Sequence, residues 1–158
     1  MKTKKEIKQI RAIVIVFITL LALSGITAFP IRGELAFLEI HKGVFPLPFQ
    51  NWIDFLFQSV QQTPDAILYG TDWLAFAHLI ISIFFIGVYI DPVKNKFNVI
   101  VGIIACIAVF PLAFIMGPVR GIPFFHQLID CSFGLLGLIP LTIIYLKIKK
   151  IEYENLNA

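Results

Sequence analysis

Four apolar runs of nearly helix-spanning length set the terms on which this chain can fold: Ala12–Phe29, Trp73–Ile90, Phe97–Met116 and about Phe124–Leu146. Roughly 20 residues of α-helix, at about 1.5 Å each, cover a hydrocarbon core about 30 Å thick. Lipid offers a backbone no hydrogen bonds, so a spanning segment satisfies its own N–H and C=O groups as a helix. The expected fold class is therefore an all-α integral membrane protein. We expect a single domain over 1–158, with four transmembrane helices in one bundle. One or two short interfacial helices are expected in the first outer loop.

Composition agrees. The chain is 58% hydrophobic and 15% charged, with a mean hydropathy of +0.87. Soluble domains run at about 45–50% apolar and about 25% charged. The net charge of +3 does not point to nucleic acid, because no basic stripe interleaved with aromatics is present. Its cations sit at the ends of the apolar runs, where membrane orientation signals belong. Cys106 and Cys131 show neither CxxC nor metal-finger spacing and read as small apolar residues.

Charge placement predicts the topology. With the N-terminus inside, the inner segments hold Lys2, Lys4, Lys5, Lys8, Arg11, Lys94, Lys96, Lys147, Lys149 and Lys150. The outer segments hold Arg32, Lys42 and Arg120. The positive-inside rule then puts both termini in the cytoplasm and residues 31–70 outside. The first run resembles a signal peptide in its basic start. It is longer than the usual 7–15-residue apolar region, about which no clean A-x-A site follows, so an uncleaved span is expected.

The outer segment 31–70 is too polar to span. PFQNWIDFLFQSVQQ, Pro48–Gln62, places Trp52, Phe55, Leu56, Ser59 and Val60 along one helical side. This reads as an amphipathic interfacial helix whose Trp52, Phe55 and Leu56 offer a surface to lipid or a partner. GELAFLEIHK before it supplies another helical turn or two, and VFPLP separates the two pieces. Thr71 and Asp72 are expected to open the second span, with Asp72 as N-cap or first-turn acid. Pro111 is expected to kink the third span.

Ionisable residues inside spans are costly and mark candidate sites. Topology would bring Asp72 and His78 of the second span to the same outer half of the membrane as His126 and Asp130 of the fourth, with Arg120 nearby. His126 and Asp130, four apart, share one helix face. That face continues through Gly134, Gly137 and Leu141, small enough at the glycines to turn toward the bundle. The bland alternative is that Asp130 pairs with His126 or Arg120 and the cluster only fixes helix register. No cofactor is expected. A haem on His78 and His126 would need its ligands level, and helical rise sets them about 7–8 Å apart in depth. A divalent metal on His126, Asp130 and His78 or Asp72 has suitable chemistry but a common spacing.

YGTDWLAFAHL, DPVKN and GIPFFHQLIDCSFG, spread over Tyr69–Gly134, resemble a group of small four-span bacterial inner-membrane proteins. The resemblance implies a bacterial cytoplasmic membrane and a four-helix fold, and it carries over no catalytic residue. The expected function is non-enzymatic: an outward-facing polar pocket that binds a partner protein, a lipid headgroup or a small ligand. The partner could be another membrane protein or a second copy of the chain, and nucleic acid is not expected. Ion- or proton-coupled transport through Asp130 and Asp72 is the rival reading. An enzyme is disfavoured, since no Gly-rich phosphate loop or HExxH occurs.

Overall fold

A computed structural model of the chain describes residues 2–157, with side chains from Lys4 onward. The side chain of Lys2, counted above among the inner cations, lies outside the described residues. The described chain is all-helical, with six α-helices and no strand. They are α1 (Lys2–Ala28), α2 (Ile31–His41), α3 (Leu47–Gln62), α4 (Asp65–Ile90), α5 (Lys96–Val119) and α6 (Phe124–Leu156), with a 3-10 turn at Lys42–Val44. Helices α1, α4, α5 and α6 are long and apolar enough to cross a membrane. Their outward faces stay apolar, as at Leu20, Phe84, Ile104 and Leu136. Water would not tolerate so continuous an apolar surface, and the chain is a multi-pass membrane protein by these criteria.

The chain divides into two compact units, one of residues 1–19 with 83–158 and one of residues 20–82. In the first, Ile10, Val14, Phe85, Val88, Val99, Leu141, Ile144, Ile148 and Ile151 form a closed core. Helix α6 supplies a buried stripe spaced by three or four residues and once by seven: Gln127, Cys131, Gly134, Leu141, Ile144, Ile148 and Ile151. This is the 3.5-residue period that lets two helices stay in contact over many turns, and α6 packs along α5. A Cβ on Gly134 would stand 2.8 Å from the Cys106 carbonyl oxygen, so the bare glycine is what lets the backbones approach.

Helix α5 ends in a Schellman motif. The Ile122 N–H donates to the Gly117 carbonyl at 2.9 Å and the Gly121 N–H to that of Pro118 at 3.1 Å. The motif needs a left-handed residue, and Gly121 takes it at φ +68°. Helix α4 ends differently. Arg11 of α1 donates from Nε to the Tyr89 carbonyl at 2.9 Å and from Nη2 to that of Ile90 at 3.1 Å. Its guanidinium also lies 5.4 Å from the Tyr89 ring centroid. A cation from another helix thus satisfies the carbonyls that α4 leaves open.

In the second unit α2 and α3 form an antiparallel hairpin, and α2, at 11 residues, is longer than the turn or two expected before the VFPLP break. Phe45 is extended there, and Pro46 opens α3. The hairpin is pinned at both ends. Lys42 pairs with Glu39 at 2.7 Å and with Asp54. Arg32 donates to the Thr63 carbonyl at 2.9 Å and pairs with Asp65 at 2.8 Å. The residues turned inward are Leu35 and Ile53. Trp52 and Leu56 are half-buried, while Phe55 is exposed and stacks on Trp52 at 5.1 Å.

One expectation needs correction, and two helices extend beyond their apolar runs. Asp72 neither caps nor opens the second span, because α4 begins at Asp65, seven residues earlier. Pro64 starts the helix there, its carbonyl accepting from the N–H groups of Ile67 and Leu68. The fourth helix continues past the end of its apolar run, near Leu146, to Leu156. Lys147 and Lys150 hold Glu6, and Glu152 holds Lys96, so contacts with α1 and α5 carry the helix beyond its apolar run. The first helix likewise starts at Lys2, well before Ala12.

Candidate functional site

Asp72 and His78 belong to the unit of residues 20–82, whereas Arg120, His126 and Asp130 belong to the other. In the latter, His126 Nε2 and Asp130 Oδ1 stand 3.8 Å apart, one turn apart on α6. That is longer than a hydrogen bond, and both side chains are part-exposed. The pair does not lie in the packed seam as the i, i+4 face suggested. The seam begins with Gln127 and Cys131, one position further round the helix. Gln127 is 4% exposed and lies over Gly117, its Nε2 donating to the Ile122 carbonyl at 2.8 Å. It therefore clamps the α5–α6 reversal, leaving His126 and Asp130 on the flank. Arg120 follows the last turn of α5 with its side chain exposed, where a cation suits the helix dipole.

In the other unit His78 is turned to its own helix, Nδ1 lying 2.9 Å from the Leu74 carbonyl oxygen. A carbonyl oxygen can only accept, so Nδ1 is the donor in that contact. Asp72 has a different setting. It lines an open groove of about 290 Å³ with Phe29, Tyr69, Trp73 and Phe76.

Tyr69, Asp72, Trp73 and Phe76 stand at i, i+3, i+4 and i+7 and so form one face of α4. Phe29, just past the end of α1, supplies the opposite wall. Close contact at Gly25 brings it there, since a Cβ on that residue would sit 2.7 Å from the Ala75 carbonyl oxygen. Tyr69 and Trp73 meet edge to face at 6.0 Å and 80°, and Trp73 and Phe76 at 6.3 Å and 89°.

Among the described residues the Asp72 carboxylate makes no hydrogen bond or ion pair. The cations of residues 20–82 are Arg32 and Lys42, and both are engaged by other acids. The four rings were not singled out from the sequence, although the heptad-like spacing of Tyr69, Asp72, Trp73 and Phe76 was readable there. The assumed start of the helix at Thr71 hid it.

Among the described residues no three His, Cys, Asp or Glu side chains gather as a metal-ligand set. Cys131 is 6% exposed and Cys106 half-buried, and both are free thiols packed among apolar neighbours. Compared with known proteins, the chain matches no family model, no curated protein and no solved structure.

Proposed function

We propose that the chain is a non-enzymatic binding protein of a bacterial cytoplasmic membrane. Its four spanning helices form one bundle, both termini are cytoplasmic, and the outward end receives a lipid headgroup, a small ligand or a partner. The observation that carries this reading is the Asp72 groove, an open cavity that holds a carboxylate with no partner among the described residues. An ionisable group at the edge of a spanning helix is retained where something outside the helix satisfies it. The cation distribution supports the orientation, which puts the start of α4, and so the groove, on the outer side.

Native mass spectrometry of the purified chain tests the reading. Wild type is expected to retain lipids or small molecules that Asp72→Asn and Trp73→Ala release. Phe133→Ala, an exposed apolar position on α6, should release none. Identical retention by all four proteins would remove the groove as a site.

The half-exposed His126–Asp130 pair favours a second reading, a proton carrier at the outer end of α6. Proteoliposomes in which Asp130→Asn abolishes a pH-driven flux shown by wild type would support it. Absence of flux in wild type would end it.

A further inference from the structure

We propose that the Asp72 groove takes an ammonium group, that of a zwitterionic lipid headgroup. The inference rests on reading the groove as a binding site. The chemistry of its lining then names the occupant. Aromatic faces carry the negative part of a ring quadrupole and attract a cation within about 6 Å of the centroid. Phe29, Tyr69, Trp73 and Phe76 line the groove with rings, and Asp72 adds the only formal charge among its lining residues. Both features favour a cation and repel a phosphate or carboxylate.

The chain cannot supply that cation from residues 20–82. Arg32 is spent on Asp65 and the Thr63 carbonyl, and Lys42 on Glu39 and Asp54. A neutral acyl chain would fill the apolar volume and offer the carboxylate nothing to pair with, since only an opposite charge or a hydrogen-bond donor compensates a carboxylate that is taken out of water. A belt of interfacial aromatics would account for Tyr69 and Trp73, but not for an acid set among them.

The neighbours of Asp72 select the lipid over a free amine. Asp72 shares its face of α4 with Tyr69 and Trp73, the two residue types that mark the headgroup layer of a bilayer, and ethanolamine and choline amines lie in that layer.

The test uses the full chain with Trp52→Phe, so that Trp73 is its sole tryptophan. Choline and its uncharged isostere 3,3-dimethylbutanol are titrated against Trp73 fluorescence. Choline is expected to saturate at a concentration at least tenfold lower than the alcohol. Asp72→Asn should weaken choline at least tenfold and leave the alcohol unchanged. In parallel, native mass spectrometry compares retention of phosphatidylethanolamine and phosphatidylglycerol with matched acyl chains. Wild type should prefer the first and Asp72→Asn should not.

Phe29→Leu, which removes a ring but keeps bulk, gives a second variant should Asp72→Asn fold poorly. It too should lose choline selectively. Equal binding of choline and the alcohol would overturn the ammonium assignment while leaving the site itself intact. Choline selectivity without headgroup preference would overturn the lipid source. No saturation by either probe, with retention unchanged in every variant, would overturn the site along with the inference.

Discussion

A methyl group added at Gly134 and one added at Gly137 would strike different things. The first meets the Cys106 carbonyl oxygen at 2.8 Å, a backbone atom that moves only if α5 moves. The second meets the Cys106 sulfur, also at 2.8 Å, a side chain with rotamers to spare. Gly134→Ala is therefore expected to lower stability by about 1–3 kcal/mol, the usual cost of overpacking. Gly137→Ala should cost clearly less. Gly70→Ala, with nothing within 4 Å of the added carbon, should stabilise α4 by about 0.5–1 kcal/mol. Thermal denaturation of the three variants in one detergent checks the order. Sequence made the glycines visible as a close-packing face, but it attached His126 and Asp130 to that face when Gln127 and Cys131 occupy it. A shift of one residue on a helix is about 100°, too fine for a pattern of alternating polar and small residues to resolve. Asp72 was legible as an acid at a span, and of the roles expected of it capping fails, because the helix begins seven residues earlier. Capping looked sufficient only while the helix was thought to begin beside it.

The α2–α3 hairpin owes its closure to Lys42, held between Glu39 and Asp54. The Lys42 ammonium beside Asp54 keeps that carboxyl below its ordinary range, and Asp54, then Glu39, raise the Lys42 pKa in turn. A depressed carboxyl contributes stability that is complete above its unfolded value of about 3.9 and is lost as pH falls through the lower folded value. A raised lysine contributes below about 10.4 and loses its part as pH climbs through the higher folded value. The hairpin should thus hold across the neutral range and loosen at both extremes. Trp52 fluorescence, followed in a Trp73→Phe background, should show the acid transition, and Asp54→Asn should remove most of it. Lys42→Met should reverse the acid limb, since two carboxylates left facing each other are relieved by protonation. At this scale the sequence read well. The spans follow from what lipid accepts and VFPLP announced the break, whereas the length of α2 and its pairing with α3 were not read. Helix ends read poorly, because α6 outlasts its apolar run on ion pairs with residues more than fifty positions away.

Across the molecule, the charged ends of the helices do structural work that a count of cations per loop leaves out. Glu6 is 9% exposed and receives Lys147 at 2.8 Å and Lys150 at 2.7 Å, so the first helix is tied to the last. Lys96 and Glu152 tie α5 to α6 at 2.6 Å. Glu6→Lys is expected to lower the melting midpoint by a few degrees. Adding Lys147→Glu and Lys150→Glu should restore it. Lys8→Glu, on an exposed side chain with no contact to Glu6 among the described residues, should leave the midpoint nearly unchanged.

The core of Ile10, Val14, Phe85, Val88, Leu141 and Ile144 draws on sequence before Thr19 and after Ile83 and on nothing between. A nick at the Thr63–Pro64 bond would remove none of those side chains. Arg11 would still be present to close the Tyr89 and Ile90 carbonyls from the other piece. Two half-chains, 1–63 and 64–158, made separately in one cell should therefore rejoin in the bilayer. The chain is covalently one but severable.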